Sequence, residues 1–393
     1  MPQLKFLTAG ESHGRSLTGI IDGIPAGLSL TAERDIDPIL RERQRGYGRS
    51  HRQKIEADKA EILSGVRFGI TTGAPIAIRI ENKDWQNWQD EMSVIPTDKE
   101  SKPVTIPRPG HADLAGAIKY QQKDIRNILE RASARETAMR VAIGAIASIF
   151  LKELGITSVS FVNSIGDVSV SDAEKPDDLH LLRKILNESD LRMYDSLAEK
   201  KAKHLIDKAK KDGDTLGGIA ETHFIGLPIG IGSHMQWDRK LDGLIAQALM
   251  SIQAVKAVEI GGGVSLAKIH GSECHDAIEV GKGEIVRSSN NAGGIEGGMT
   301  DGMPVIVRAA MKPISTLMRP LQSLDLATGD SAPSHIERSD VCAVPSLSII
   351  VENVVAFTIA SALLDTFGGD TMNEVKERFA LRREQSKLKN IIR

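Results

Sequence analysis

The chain has 393 residues, of which 41% are hydrophobic and 26% are charged. The hydrophobic fraction is enough for a sizeable core and too high for a disordered protein. A net charge of -2 and an aromatic content of 4% give no basis for general attraction to nucleic acid or to an anionic membrane, so neither partner is predicted. The two cysteines, Cys274 and Cys342, are too few for a disulfide scaffold and predict a reducing, cytoplasmic location.

Apolar periodicity predicts strands and helices that are interspersed without strict alternation. Strands are expected at 4–8, 17–22, 60–66, 75–81, 159–170, 216–225 and 304–310. Helices are expected at 32–45, 136–154, 176–187, 195–211, 241–255, 346–367 and 372–388. This order predicts one large α+β domain over residues 1–393, with a peripheral C-terminal helix at about 372–390, rather than a parallel barrel.

The segment Gly10-Glu11-Ser12-His13-Gly14 follows the first predicted strand and fits two chemistries. As G-x-S-x-G it matches the nucleophile elbow of serine hydrolases, which requires a helix directly after the serine. The following residues contain glycines, a proline and alternating apolar positions, which predict strand and turn instead. We therefore favour an exposed His13 imidazole that exchanges protons near neutral pH, with a hydrolase using Ser12 as the alternative.

Basic residues crowd the segment 41–52 around Gly46-Tyr47-Gly48. Guanidinium groups without matching carboxylates repel one another unless an anion is near, and their fork suits phosphate and carboxylate. We interpret the segment as an anion-binding loop, the alternative being a solvated basic helix end. The basic residues are Arg41, Arg43, Arg45, Arg49, His51 and Arg52.

A second histidine lies in the motif Arg108-Pro109-Gly110-His111-Ala112-Asp113. Proline and glycine favour a loop here, and the flanking cation and anion can set the charge and tautomer of the imidazole. A structural role is the alternative for a single histidine of this kind. Two histidines on glycine-containing loops together favour proton-transfer chemistry.

Three further segments carry anion-binding or proton-exchanging groups. Arg131-Ala132-Ser133-Ala134-Arg135-Glu136-Thr137 opens a predicted helix, whose free N–H groups attract anions. Lys312-Pro313-Ile314-Ser315-Thr316 offers a cation and hydroxyls on a turn, and Arg338-Ser339-Asp340 adds an arginine and a carboxylate. The residues alone therefore predict a cleft for highly anionic ligands, with two histidines and an aspartate for proton transfer.

Two other cofactor classes are not predicted. The glycine-rich loop 290–298 lacks the G-x-G-x-x-G spacing of dinucleotide-binding folds. His270, Cys274 and His275 are close in sequence, but no second pair at metal-ligand spacing accompanies them, so no metal site is predicted.

Taken in order, these motifs resemble those of the chorismate synthase family, collinearly from residue 4 to about 367. The resemblance rests on Thr8-Ala9-Gly10-Glu11-Ser12-His13-Gly14, the segment 46–82, the motifs 108–113 and 133–137, Gly293-Gly294-Ile295-Glu296-Gly297-Gly298, Met311-Lys312-Pro313-Ile314 and Arg338-Ser339-Asp340-Val341-Cys342. Two segments depart from it. Many family members carry Arg-His-Asp-Pro-Cys where this chain has Ser339 and Val341, and others carry three glycines where it has Ile128-Leu129-Glu130.

The resemblance implies a β-α-β sandwich, with mixed or antiparallel sheets around a helical layer, assembled as a homotetramer. It implies 1,4-elimination of phosphate from 5-enolpyruvylshikimate-3-phosphate to give chorismate. Reduced FMN would be the cofactor, without net redox change, and whether NADPH serves as its reductant is left open. A non-catalytic flavin- or RNA-binding module is a further alternative.

Roles for individual residues follow from the same resemblance. His13 would be the acid toward the leaving phosphate, His111 would protonate or stabilise the reduced flavin, and Asp340 would handle the proton at its central ring nitrogen. Substrate anions would be held by Arg43, Arg49, Arg52, Arg108, Ser133 and Arg135. FMN would be held by Arg43, Arg49, Arg131, Ala132, Ser133, Gln253, Ala254, Gly298, Lys312, Pro313, Ile314, Ser315, Thr316 and Arg338.

Overall fold

The computed structural model describes residues 4–49, 57–97, 102–281, 284–337, 339–387 and 390. Its helices are α1 (Asp37–Gln44), α2 (Asp113–Tyr120), α3 (Arg126–Ala132), α4 (Thr137–Glu153), α5 (Leu179–Glu188), α6 (Ser196–Lys211), α7 (Leu241–Met250), α8 (Gly271–Cys274), α9 (Val344–Phe367) and α10 (Met372–Gln385). Its strands are β1 (Lys5–Ala9), β2 (Ser16–Asp22), β3 (Ala60–Ile62), β4 (Val66–Arg67), β5 (Ile70–Thr71), β6 (Ile76–Glu81), β7 (Thr157–Ile165), β8 (Val168–Ser169), β9 (Gly218–Ile225), β10 (Val255–Ile260), β11 (Ile278–Gly281), β12 (Glu284–Arg287), β13 (Ile295–Glu296), β14 (Met299–Thr300), β15 (Val305–Met311), β16 (Gln322–Leu324) and β17 (Ser331–Pro333).

Two antiparallel sheets form the outer layers. The first has the strand order β1-β2-β6-β3, and the second has the order β10-β15-β9-β7-β8. Alternate residues of β2, β6 and β15 are buried, and Ile76, Ile78 and Ile80 of β6 have no exposed surface. In β7 and β9, by contrast, consecutive residues are buried. The period of two in β2, β6 and β15 turns one face of each sheet toward the core, and burial of each such side chain stabilises the fold by about 1.5–3 kcal/mol.

Helices fill the space between the sheets. α9 packs against α4 and also against β7 and β9 of the five-stranded sheet, whereas α4 packs against β2 of the four-stranded sheet. The two helices approach closely at Gly144, where an added Cβ would lie 2.3 Å from the backbone oxygen of Asn353. The order of layers is therefore sheet, helices, sheet, which confirms the predicted α+β class and β-α-β sandwich.

The structure corrects several predicted boundaries. The helix expected at 241–255 ends at Met250, and Val255 already begins β10. Ala254 between them has a φ of 67°, a left-handed conformation that a helix does not accommodate. The helix expected at 136–154 is confirmed as α4, but the residues before it form the separate helix α3, which ends where Ser133 becomes extended. This break matters because Ser133 lines the cavity described below.

Within the described part of the chain, α9 is the one helix long and apolar enough to cross a membrane, by length and composition alone. Of its most apolar window, 78% is buried inside the protein, as expected for a core helix. α10 begins with a capping box, in which the Thr371 hydroxyl accepts from Glu374 N and the Glu374 carboxylate accepts from the backbone of Thr371. The assignment of residues 1–393 to one domain with a peripheral end stays a prediction.

Candidate active site

A cavity of about 280 Å³ lies beside the beginnings of α4 and α9, near the lower end of the size range of small-molecule sites. The three predicted proton-transfer residues, His13, His111 and Asp340, all line it. So do most predicted binding residues: Arg43, Arg49, Arg108, Ala132, Ser133, Arg135, Gln253, Ala254, Lys312, Ile314, Ser315 and Thr316. Segments distant in sequence thus converge on one space.

Three of the predicted binding residues that the structure describes are not among those that line it. Arg131 is exposed and donates to the backbone oxygens of Thr8 and Gly10. Gly298 lies against Lys240 at the start of α7, and Pro313 is exposed between two lining residues. Arg52 and Arg338 lie outside the described residues, as does His51. The binding roles of these residues remain predictions.

His13 sits on the tight loop between β1 and β2, and its ring is held by a carboxylate. Nδ1 lies 2.9 Å from Oε1 of Glu130, and the His13 backbone N–H donates to Oε2 at 2.8 Å. Trp88 stacks on the ring at a centroid distance of 4.0 Å. The expectation of an exposed imidazole was therefore wrong: His13 is only 9% exposed, and it reaches ligands through the cavity rather than bulk solvent.

His111 is held in the same manner by Asp113 at the start of α2. Nδ1 of His111 lies 2.5 Å from Oδ1 of Asp113 and 3.2 Å from Nη2 of Arg108. A guanidinium can only donate and a carboxylate can only accept, so Nδ1 cannot serve both. The shorter contact assigns Nδ1 as a donor to Asp113, which leaves Nε2 as the nitrogen available to a ligand.

Asp113 anchors the whole 108–113 loop. It accepts from the backbone N and Nε of Arg108 at 3.0 and 2.8 Å, in addition to His111. Burial opposes its ionisation, but the hydrogen bonds from His111 and Arg108 outweigh burial and hold the pKa of Asp113 well below its usual range. Asp113 is therefore a carboxylate at neutral pH, and it keeps both neighbours in place.

Three of the lining arginines, Arg43, Arg49 and Arg135, belong to an ion-pair network, and we call them the cationic wall. Arg49 Nη1 lies 2.9 Å from Oδ2 of Asp340, and both side chains are largely buried. Arg135 donates to Asp58 Oδ2 at 2.8 Å, and the same carboxylate lies 3.7 Å from Nη1 of Arg43. Burial lowers the pKa of Arg43 to about 10, with Asp58 opposing that shift, so Arg43 stays charged at neutral pH.

Positive charge predominates among the described side chains that line the cavity. The cations are Arg43, Arg49, Arg108, Arg135 and Lys312, and the carboxylates are Glu337 and Asp340. Burial raises the pKa of Glu337, but its hydrogen bond with His335 and the charge of Arg108 prevail, and that pKa falls to about 2. Even with both carboxylates ionised the lining is cationic, which favours a ligand with several negative charges.

Two buried polar atoms in the lining, Nε of Arg49 and Oε1 of Gln253, have no hydrogen-bond partner among the residues that the structure describes. Buried polar groups are rarely left unpaired, so a ligand that brings an acceptor to Arg49 and a donor to Gln253 fits the site. Lys312, Ser315 and Thr316 add donors next to them. The donor set suits an anionic cofactor with a polar ring system, and no group of three metal-ligating side chains occurs among the described residues.

The geometry gives no support to a nucleophile in this cavity. Ser12 receives a hydrogen bond from the Ser133 hydroxyl at 3.3 Å, and the chain continues from its loop into strand β2, not into the helix an elbow requires. Cys342 is not among the lining residues, and burial raises the pKa of its thiol to about 11, so its thiolate is scarce at neutral pH.

Four residues that the sequence did not single out for a role complete the site. Asn82 donates to the backbone oxygens of Glu11 and Gly14 and accepts from Arg135, and so ties the His13 loop to the cationic wall. Asp58 pairs with Arg43 and Arg135. Trp88 stacks on the His13 ring, and Glu130 binds its Nδ1. Asp58 and Asn82 lie in the segment 46–82 that resembles the family, and Glu130 lies in a segment that departs from it, but none of the three was assigned a role.

Known proteins of one family resemble this chain over nearly its whole length. A family model described as chorismate synthase matches residues 4–364. The chorismate synthase of Syntrophotalea carbinolica is 52% identical over 378 residues, which are 96% of this chain and 97% of that protein. That of Aquifex aeolicus is 52% identical over 384 residues, 96% of each. A crystal structure of chorismate synthase matches with a TM-score of 0.79 and 44% identity over 98% of both chains.

Proposed function

We propose that this chain, which belongs to the chorismate synthase family, catalyses the 1,4-anti-elimination of phosphate from 5-enolpyruvylshikimate-3-phosphate to give chorismate. The single observation that carries the proposal is the convergence of His13, His111 and Asp340 on one cationic cavity. The substrate has two carboxylates and a phosphate, and such a ligand needs a lining with excess positive charge.

The cationic wall binds and orients the substrate. Arg49 and Arg135 offer charged donors, and Arg43 adds positive charge behind them. Each guanidinium is already oriented by a buried carboxylate, so little side-chain freedom remains to be lost on binding. His13 donates a proton from Nε2 to an oxygen of the departing phosphate, because Nδ1 is occupied by Glu130.

The cofactor in this proposal is reduced FMN. When bound, it supplies transient electron density that assists phosphate departure and is recovered at the end of the reaction. Gln253, Ala254, Lys312, Ile314, Ser315 and Thr316 would hold it, since they line the cavity and Oε1 of Gln253 has no partner among the described residues. His111 would hold a proton near it at Nε2, and Asp340 would accept or return a proton at a carboxylate oxygen. NADPH is a candidate reductant, and cytoplasmic location and homotetramer assembly belong to the same proposal.

The test is anaerobic incubation with 5-enolpyruvylshikimate-3-phosphate and dithionite-reduced FMN, with phosphate release and the absorbance of the product diene as readouts. His13→Asn and His111→Asn should each lower turnover about 10²–10⁴-fold. His204→Asn is the control, because His204 is exposed on α6, outside the cavity.

Absence of phosphate release from wild-type protein would refute the lyase. Flavin binding without turnover would favour a binding module instead. Losses under threefold in both cavity variants, with the fold intact, would reject the two histidine roles.

A further inference from the structure

Glu130 holds both the backbone and the ring of His13. It is 2% exposed and lies near the end of α3, 117 residues from His13 in sequence. Oε2 accepts the His13 backbone N–H at 2.8 Å, and Oε1 accepts from Nδ1 at 2.9 Å. No other described side chain fixes both the position and the orientation of this imidazole.

A cation and an aromatic ring complete the arrangement. Arg126, one helical turn before Glu130, donates to Oε1 at 3.1 Å. The same guanidinium lies 5.0 Å from the ring centroid of Trp88, and Trp88 stacks on His13 with an interplanar angle of 26°. The imidazole is therefore held at one edge by Glu130 and on one face by Trp88.

One ring nitrogen is left for chemistry. Nδ1 is bound to the carboxylate, whereas Nε2 of His13 has no hydrogen-bond partner among the described residues. His13 nevertheless lines the cavity, so Nε2 is the nitrogen that a ligand can reach. The tautomer with its proton on Nδ1 is the one that Glu130 selects.

We propose that Glu130 is a positioning residue for His13, an inference that rests on the proposed function. When His13 donates, the Nε2–H bond breaks, an O–H bond forms on the phosphate oxygen, and the electron pair of the broken C–O bond leaves with the phosphate. The C–H bond at the other end of the 1,4-unit also breaks: its electron pair enters the new diene, and its proton goes to a carboxylate oxygen of Asp340. The neutral ring keeps its other proton on Nδ1, where Glu130 already accepts it. The carboxylate offsets the ring's charge before transfer, and no tautomer change is needed afterwards.

Glu130→Gln tests this with little change in shape. The backbone N–H of His13 and the Arg126 guanidinium can only donate, so the amide NH₂ of glutamine must face one of them. If NH₂ takes the Oε1 place, Nδ1 must become an acceptor and the ring proton moves to Nε2. If it takes the Oε2 place, it opposes the His13 backbone N–H, which cannot turn away as the Arg126 side chain can, so the first arrangement is the expected one. Both arrangements remove the negative charge.

A matched control exists on the five-stranded sheet. Glu221 is also a buried carboxylate beside an imidazole and an arginine, since it contacts His223 at 2.5 Å and Arg308 at 2.6 Å. Glu221 is not among the cavity residues. Glu221→Gln therefore makes the same chemical change at a similar pair away from the proposed chemistry.

Two readouts are measured on full-length protein. In the anaerobic assay with reduced FMN, Glu130→Gln should lower kcat about 10- to 10²-fold, part of the contribution of a general acid, while KM stays within threefold. Glu221→Gln should keep kcat within twofold.

In ¹⁵N-histidine spectra, the His13 signals, assigned by their loss in His13→Asn, should change from the Nδ1-protonated pattern in Glu130→Gln. Inorganic phosphate, used as a probe, should perturb Nε2 of the wild-type ring.

The results separate the inference from the function it rests on. A Glu130→Gln kcat within threefold of wild type, an equal loss in Glu221→Gln, or unchanged His13 ring signals would each overturn the positioning role. Wild-type protein that releases no phosphate, yet shows the expected ring signals and their change in Glu130→Gln, would refute the lyase while supporting the role of Glu130 in holding the ring.

Discussion

Asp113→Asn is the substitution whose effects follow most directly from the geometry. Asp113 is 1% exposed and accepts from Arg108 through three nitrogens and from His111 through one. Asparagine keeps the shape but turns an NH₂ toward these donors and leaves the Arg108 charge less compensated. Removing one partner of a buried ion pair costs about 3–5 kcal/mol. Glu337 and Thr316 still contact Arg108, so we expect about 3 kcal/mol.

The stability difference between wild type and Asp113→Asn should change with pH in a definite direction. Because the folded-state pKa of Asp113 is depressed, its contribution is fully present above the unfolded pKa of about 3.9 and is lost as the pH falls toward the folded value. The difference in unfolding free energy between wild type and Asp113→Asn should thus be constant from pH 7 to 5. By linkage it should be smaller by about 1.3 kcal/mol at pH 3.

The assay is urea unfolding across this pH series, together with turnover at pH 7. Asp113→Asn should also lower kcat about 10- to 10²-fold, because His111 loses the carboxylate that orients it. Asp276→Asn is the control: Asp276 is buried and its pKa is also lowered, but it does not line the cavity, so stability should fall and kcat should not. A destabilisation below 1 kcal/mol at pH 7, or a difference that grows as the pH falls, would refute the reasoning.

Two further predictions concern the cavity wall. Ser12→Ala should keep turnover within tenfold of wild type, and a fluorophosphonate should not label Ser12 of the wild-type protein. Covalent labelling of Ser12, or a loss of turnover of 10⁴-fold or more in Ser12→Ala, would restore the hydrolase interpretation. Arg49→Gln should raise KM for the substrate about tenfold or more, since a charge-assisted hydrogen bond contributes about 1.5–3 kcal/mol. Arg45→Gln, a change at an exposed arginine outside the cavity, is its control, and an unchanged KM for Arg49→Gln would contradict the anion-binding role.

His13 and His111 are held in the same way. In each case a buried carboxylate on a helix binds Nδ1 of a histidine that lines the cavity, Glu130 for His13 and Asp113 for His111. The two carboxylates reach their histidines differently. Asp113 is two residues away within one motif, whereas Glu130 comes from a distant segment.

Features that depend on residues close in sequence could be predicted, and features that depend on distant residues could not. Alternation in β6 and the apolar spacing of α4 depend on neighbouring residues, so strands, helices and the α+β class could be inferred. Boundaries set by single backbone conformations could not, as at Ala254, where a positive φ ends a helical pattern. The motif carrying Arg108, His111 and Asp113 was recognisable because its members are adjacent.

The sequence by itself determined which chemical groups are present, on which loops, and that they suit proton transfer beside an anion. Only the tertiary structure decided that His13 meets Glu130 and Trp88, that Asp58 lies between Arg43 and Arg135, and that Arg131 turns away from the cavity. The physical reason is the distance along the sequence over which each kind of interaction acts. Short-range patterns encode backbone preference and which face is buried, whereas the pairing of side chains more than 70 residues apart depends on how two sheets pack against one helical layer.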